Sequence, residues 1–181
     1  MKKNNPTPIF ALLALLLSFA SVAQETPVRG EEEKDSLVVV KPVESKADLN
    51  LIIAPEGFEP TDKFNGYLHA QASSGIIMTM IENANYFKIA EGMTDDFFRA
   101  NKLTLVNKKE FTSDNSVTGV QYKCSFITND TPFIRYIVFA GDLNKTLWLN
   151  ITYPSEIETI VEPEIVKSLQ TITLKPSRDE K

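Results

Sequence analysis

The stretch VTGVQYKCSFITNDTPFIRYIVFAGDLNKTLWLNITY, residues Val117 to Tyr153, reads as three consecutive β-strands joined by two short turns. Between Val117 and Thr128, Val120, Tyr122, Cys124 and Phe126 fall on one face while Gly119, Gln121, Lys123 and Ser125 fall on the other. One side of the sheet is therefore the wetter one. From Phe133 to Ala140 both faces are apolar apart from Arg135, with Ile134, Tyr136 and Val138 opposite Phe133, Ile137 and Phe139, the pattern of a strand covered on both sides. From Thr146 to Tyr153, Leu147, Leu149, Ile151 and Tyr153 share one face and Trp148, Asn150 and Thr152 the other. These strands build a core and carry no reaction motif.

Working outward, the chain of 181 residues, 43% of them hydrophobic, suits one domain with an appendage. Its start reads as an export signal. Lys2 and Lys3 precede an apolar run from Ile9 to Leu17, and Ser21-Val22-Ala23 places small residues where signal peptidase needs them. Cleavage is expected after Ala23, leaving Gln24 as the new N-terminus. The apolar run is shorter than the roughly 20 residues that span a bilayer. No cysteine lies near the site to take a lipid, and no later stretch is apolar enough to span, so the expected location is the periplasm or the exterior. Loss of Lys2 and Lys3 takes 19 basic residues to 17 against 24 acidic ones, moving the net charge from −5 to −7. Such a surface repels phosphate backbones and anionic headgroups, which argues against nucleic acid and membrane surfaces as partners. Cys124 is the single cysteine, so no internal disulfide staples the fold.

Residues 24–47 read as an acidic, solvated linker, with Glu31-Glu32-Glu33-Lys34-Asp35 at its centre. Within it Leu37-Val38-Val39-Val40 is an apolar run that needs docking, either as an extra edge strand or as a partner-binding segment. Pro42 and the charges beside it favour an edge. Asp35-Ser36-Leu37 is similar to the Asp-Ser/Thr-apolar acceptor of periplasmic O-glycosylation, which makes Ser36 a candidate acceptor; a turn residue is the plainer reading. The folded domain is expected over 48–174, followed by a charged tail, 175–181. A first strand is expected from Leu49 to Ala54, stopped by Pro55-Glu56-Gly57, then a hairpin of Tyr67 to Ala72 with Ile76 to Glu82 about Ser73-Ser74-Gly75. Tyr86, Phe87, Ile89 and Ala90 make a short helix closed by Gly92, and Thr94 caps a second one with Asp95 and Asp96 at its positive end. Lys102 to Phe111 returns to strand. After the three central strands, Ser155-Glu156-Ile157-Glu158 reads as a capping box, and Ile157, Val161, Ile165 and Leu169 form one apolar stripe interrupted by Pro163, where a kink or two abutting helices are expected. Thr171 to Leu174 could add a last strand.

The order strand, Pro-Glu-Gly-Phe turn, hairpin, short helices, four antiparallel strands and C-terminal helix resembles the Mog1/PsbP-like fold. The likeness is carried by Leu51-Ile52-Ile53-Ala54-Pro55-Glu56-Gly57-Phe58 and by Ile165-Val166-Lys167-Ser168-Leu169. It implies an α+β chain arranged as an α/β/α sandwich about a central antiparallel sheet of six or seven strands. Bacterial members include small exported DcrB-like proteins. The group is a set of accessory proteins: one branch binds a small GTPase and another supports photosystem oxygen evolution. No motif assigns this chain to either branch, and the resemblance transfers no functional residue.

A search for chemistry returns little. Cys124 falls on an apolar face, where a thiol is inert. His69 is the only histidine and has no second histidine or cysteine at ligand spacing. A triad would need His69 to meet Ser73, Ser74 or Ser125 and a carboxylate, yet no Gly-x-Ser-x-Gly elbow is present. Glu82, Asp95, Asp96 and Asp142 already have capping, turn or strand-end roles. No cofactor or metal is implied. The expectation is an exported, non-catalytic accessory or protein-binding domain whose partner is an envelope protein, with Trp148, Phe98, Val38 and Val39 as candidate partner contacts. The alternative is a small-molecule or lipid carrier with a cavity lined by Met78 and Met80. A hydrolase using His69 comes third.

Overall fold

The computed structural model describes residues 42–175, and the expectations for Ala23, Gln24, Ser36, Val38 and Val39 lie outside them. Eight strands make one sheet: β1 (Val43–Lys46), β2 (Glu59–Pro60), β3 (Gly66–His69), β4 (Ser74–Glu82), β5 (Thr104–Thr112), β6 (Thr118–Thr128), β7 (Thr131–Gly141) and β8 (Lys145–Pro154). Every pairing is antiparallel, in the order β2-β3-β4-β8-β7-β6-β5. Three helices complete it: α1 (Tyr86–Glu91), α2 (Asp95–Ala100) and α3 (Glu158–Gln170). The class is α+β.

The three strands expected between Val117 and Tyr153 are β6, β7 and β8, and their turns follow from backbone chemistry. Asn129 and Asp130 both take positive φ, 48° and 60°, as a two-residue hairpin requires, and Thr128 pairs with Thr131 across the turn. The alternation then sorts the side chains. Leu147, Leu149, Ile151 and Tyr153 of β8 are fully buried with Tyr136 and Val138 of β7, Met78 of β4, and Val161, Ile165 and Leu169 of α3. Each such aliphatic side chain contributes roughly 1.5–3 kcal/mol on leaving water. On the opposite face Val120, Tyr122, Cys124 and Phe126 join Phe133, Ile137 and Phe139 beneath Ala90 of α1 and Phe98 of α2.

Residues 42–47 are not wholly linker. β1 occupies the outer edge of β4, from Val43 opposite Glu82 to Lys46 opposite Thr79, while β3 pairs with the other half of that edge. The sheet thus begins ahead of the expected boundary at Asp48, and β1 with β2 raises the count to eight. Leu49 to Ala54 is not a strand. Leu49–Leu51 is a 3-10 turn capped by Asp48, and the backbone beyond it is held by the chain's end: Thr173 N–H donates to Leu51 O, Ile53 N–H to Thr171 Oγ1 and Ser168 Oγ to Ile53 O. Thr171 to Leu174 likewise forms no strand.

Helix α3 is one helix with Pro163 inside, not two. The capping box does not form. Neither Pro154, ahead of the short 3-10 turn Ser155–Ile157, nor Ile157, ahead of α3, makes a side-chain cap bond. Glu158 turns instead to Lys123 Nζ at 2.5 Å, because a charge-assisted contact to a mostly buried ammonium outweighs a cap bond in water. Thr94 caps α2 as expected, accepting from Phe97 N–H, and Asn85 caps α1 by accepting from Phe87 N–H.

Candidate functional site

β5 is the sheet's open side. It pairs with β6 along its length, and no described strand lies beyond it. Eight of its nine residues are exposed, and only Phe111, half-buried against the core on the α3 side, is covered by the rest of the fold. Leu105 and Val106 therefore stand in water, Val106 with 55% of its surface exposed. A bulge between Leu105 and Asn107 and the adjacent Lys108 and Lys109 are features that limit indiscriminate pairing at an edge. They leave 107–112 as a regular ladder.

Beside this edge runs a cleft of about 490 Å³ between α1 and β5–β6. Tyr86, Phe87 and Glu91 form one wall, Lys108, Glu110 and Phe111 the other, with Gly119 and Val120 between them. α1 is held over the sheet because Tyr122 donates its hydroxyl proton to Ala90 O at 2.8 Å. Burial acts first and Glu110 second to push the Tyr122 phenol up, so it stays a donor. Lys108 lies over the same ring with its ammonium 5.5 Å from the centroid. On the sheet face away from α1, a Cβ at Gly119 would sit 2.8 Å from the Phe111 ring and 2.9 Å from Ala140 Cβ, so the strand is tightly packed on that side. Phe87 points an aromatic side chain into this region with 52% exposure.

The residues singled out in the sequence are placed elsewhere. Phe98 is not a surface contact: it is 4% exposed, tilted against Tyr122 at 5.8 Å, and its neighbour Phe97 takes the half-buried position. A six-residue helix lying on a sheet turns one of two adjacent aromatics fully inward. Trp148 is half-buried and stacked on Phe139 at 6.2 Å, within the cluster below α1 and α2. Cys124 is completely buried, and desolvation pushes its thiol up to about 11. His69 borders a shallow cleft of about 460 Å³, where its Nδ1 accepts from Ala72 N–H and its ring meets Phe58 edge-on. The nearby Ser74 hydroxyl donates to Ala72 O, so the pair serves the β3–β4 turn. Met78 and Met80 are packed in the core beneath α3 and line neither cleft. Among the described residues no group of His, Cys, Asp and Glu is placed to hold a metal, and no helix is long and apolar enough to cross a membrane.

Two cations that the sequence shows only as exceptions to the strand pattern have structural partners, Lys123 half-buried and Arg135 buried. Lys123, on the wetter face of β6, meets Glu158 and Glu162 of α3 at 2.5 and 2.6 Å, and Tyr136 donates to the same Glu162 oxygen. Burial opposes ionisation of Glu162, but the hydrogen bonds from Lys123 and Tyr136 prevail and hold it below the usual carboxylate range. This cluster pins α3 to the sheet. Arg135, on the other face of β7, is 1% exposed; it reaches Thr152 Oγ1 at 3.3 Å and stacks its guanidinium 4.6 Å from the Phe126 centroid. No carboxylate pairs with it among the described residues, and desolvation lowers it to about 10.

No family model matches this chain, and no curated protein matches it. Among solved structures it is similar to a protein of unknown function from Pseudomonas aeruginosa, with 11% identity and a TM-score of 0.41 over 66% of this chain and 97% of that one. It is also similar to LpqN, involved in cell envelope biogenesis of Mycobacterium tuberculosis, with 9% identity and a TM-score of 0.48 over 71% of this chain and 80% of that one.

Proposed function

We propose that the protein is an exported, non-catalytic binding domain that takes up an extended segment of a partner as an added strand along β5. The observation that carries this reading is a nine-residue edge strand, exposed at eight of its positions and bordered by the cleft below α1. Strand addition draws affinity from main-chain hydrogen bonds, and a flanking pocket for alternate side chains gives selectivity. Phe87 offers apolar contact there, while Lys108, Lys109 and Glu110 select for charge. The engaged His69 and the inert Cys124 support a non-catalytic role. The packed surroundings of Met78 and Met80 count against a carrier with its cavity at that position. The export signal at Lys2 to Ala23 supports an envelope or extracellular setting, and the helices packed on the two sheet faces support the α/β/α arrangement of Mog1/PsbP-like accessory proteins.

The test is site-specific photo-crosslinking in the exporting cells. A crosslinker at Lys109, and separately at Phe87, joins one and the same protein through one extended segment, whereas a crosslinker at Glu44 of β1 does not. Alternate residues of an edge strand point their N–H groups outward. Proline at one of Lys108 and Lys109 therefore removes an open donor while leaving the β6 ladder whole, and that variant loses the crosslink. Equal labelling from β1 and β5 would sink the reading.

A further inference from the structure

We infer that the segment accepted by β5 is residues 34–40 of a second copy of this chain, laid antiparallel along the open edge. The inference rests on the reading of β5 as an accepting edge and names its occupant.

The apolar run Leu37-Val38-Val39-Val40 has no strand of its own sheet to continue along. β1 pairs with β4 only as far as Val43 opposite Glu82, and there β4 ends, because Asn83 turns with φ 58° and Asn85 caps α1. The rest of that β4 edge is filled by β3. The open β5 edge of the same molecule is out of reach. Val40 is three residues from Val43, a tether of about 10 Å fully extended. β5 lies four strand positions beyond β4, roughly 19 Å away at the usual strand spacing. An antiparallel register that sets Val38 opposite Leu105 needs Val40 at the Leu103 end of β5, beyond that tether, so in this register the run meets a β5 edge only in another copy.

The two sequences are complementary in one register. With Asp35 set opposite Lys109, Lys34 comes opposite Glu110, so two oppositely charged pairs form side by side. Beyond the bulge at Val106, Val38 then falls opposite Leu105, and the β-branched run covers the exposed apolar stretch of β5. Glu110 lines the cleft under α1, so Lys34 enters at the cleft's rim. Reciprocal donation closes a dimer, whereas one-way donation gives chains.

The experiment is sedimentation of the chain lacking residues 1–23. Self-association that rises with concentration is expected, and Val39→Pro abolishes it. Unchanged urea unfolding of Val39→Pro separates loss of association from loss of folding. Lys109→Glu weakens association roughly 2- to 5-fold, and mixing that variant with Asp35→Lys restores it. A short bis-maleimide joins an Asp35→Cys copy to a Lys109→Cys copy, and Cys124, fully buried, does not compete. A chain that stays monomeric up to millimolar concentration overturns the inference, as does association that ignores both Val39→Pro and Lys109→Glu. If a monomeric chain is still crosslinked through Lys109 to another protein in cells, only the occupant is wrong and the accepting edge stands.

Discussion

β4 and β5 are both nine-residue strands, and the sheet treats them oppositely. β4 has neighbours on both edges, β8 on one and β3 with β1 on the other, and six of its residues are buried. β5 has one neighbour and buries none. The difference does not come from strand propensity, since Leu105 and Val106 are as fit for a strand as Ile76 and Ile77. It comes from what the flanking chain supplies. The residues before Asp48 fold back on β4, while α2 leads into β5 and nothing among the described residues closes its outer side. β4 is flanked on both sides within the molecule, while β5 has no neighbour beyond it among the described residues.

The contrast breaks most readily at its buried end. Met78→Ala in β4 removes a side chain 1% exposed and is expected to cost about 2–5 kcal/mol in urea unfolding. Val106→Ala in β5 is expected to stay within about 0.5 kcal/mol of the parent. Similar costs at the two positions would mean that β5 is covered in solution. The centre of the sheet gives an effect of opposite sign. Arg135→Met replaces a desolvated guanidinium without a carboxylate partner by an apolar side chain of comparable length, and a gain of about 1–3 kcal/mol is expected. A loss of that size would show that the charge is compensated.

One strand in from the open edge, Lys123 of β6 marks how far α3 secures the sheet. Glu162→Gln is expected to cost about 1 kcal/mol, with Glu158 retaining part of the contact. Because the folded carboxyl of Glu162 is held below its unfolded value, its contribution is present above the ordinary carboxylate range and is lost as pH falls through the lowered folded value. The variant should therefore unfold with a shallower acid dependence than the parent, read as stability in urea at stepped pH. Arg99→Ala, which removes the exposed pair with Asp96, is the smallest change, expected within about 0.5 kcal/mol.

Much of the fold was legible wherever one local signal acted alone. The alternation in β6 and β8, Thr94 as a cap and the Val161, Ile165, Leu169 stripe each specify an element without long-range help. Legibility ended where distant groups competed for the same atoms. The Leu49 to Ala54 run has strand composition, but its carbonyls and amides are taken by Ser168, Thr171 and Thr173 from the far end of the chain. Glu158 reads as a capping residue and is claimed by Lys123, which lies 35 positions earlier and adjacent only after folding. The candidate site was the least legible part. Trp148 and Phe98 were singled out as large aromatics, yet the packing of α1 and α2 decides which aromatics stay outside, and it leaves Phe87. The lysine pair in β5 was the available signal, since Lys108-Lys109 in a strand whose apolar residues are only Leu105, Val106 and Phe111 is how an edge declares itself.

Amide hydrogen exchange, resolved residue by residue, tests the central claim most directly. In dilute protein the outward N–H groups of β5 are expected to exchange orders of magnitude faster than those of β4, and to become protected when a strand partner or a high concentration of the chain lacking residues 1–23 is present. If β5 amides are as slow as β4 amides in dilute protein, or stay fast under every condition that supports association or crosslinking, β5 is not the edge through which this protein binds.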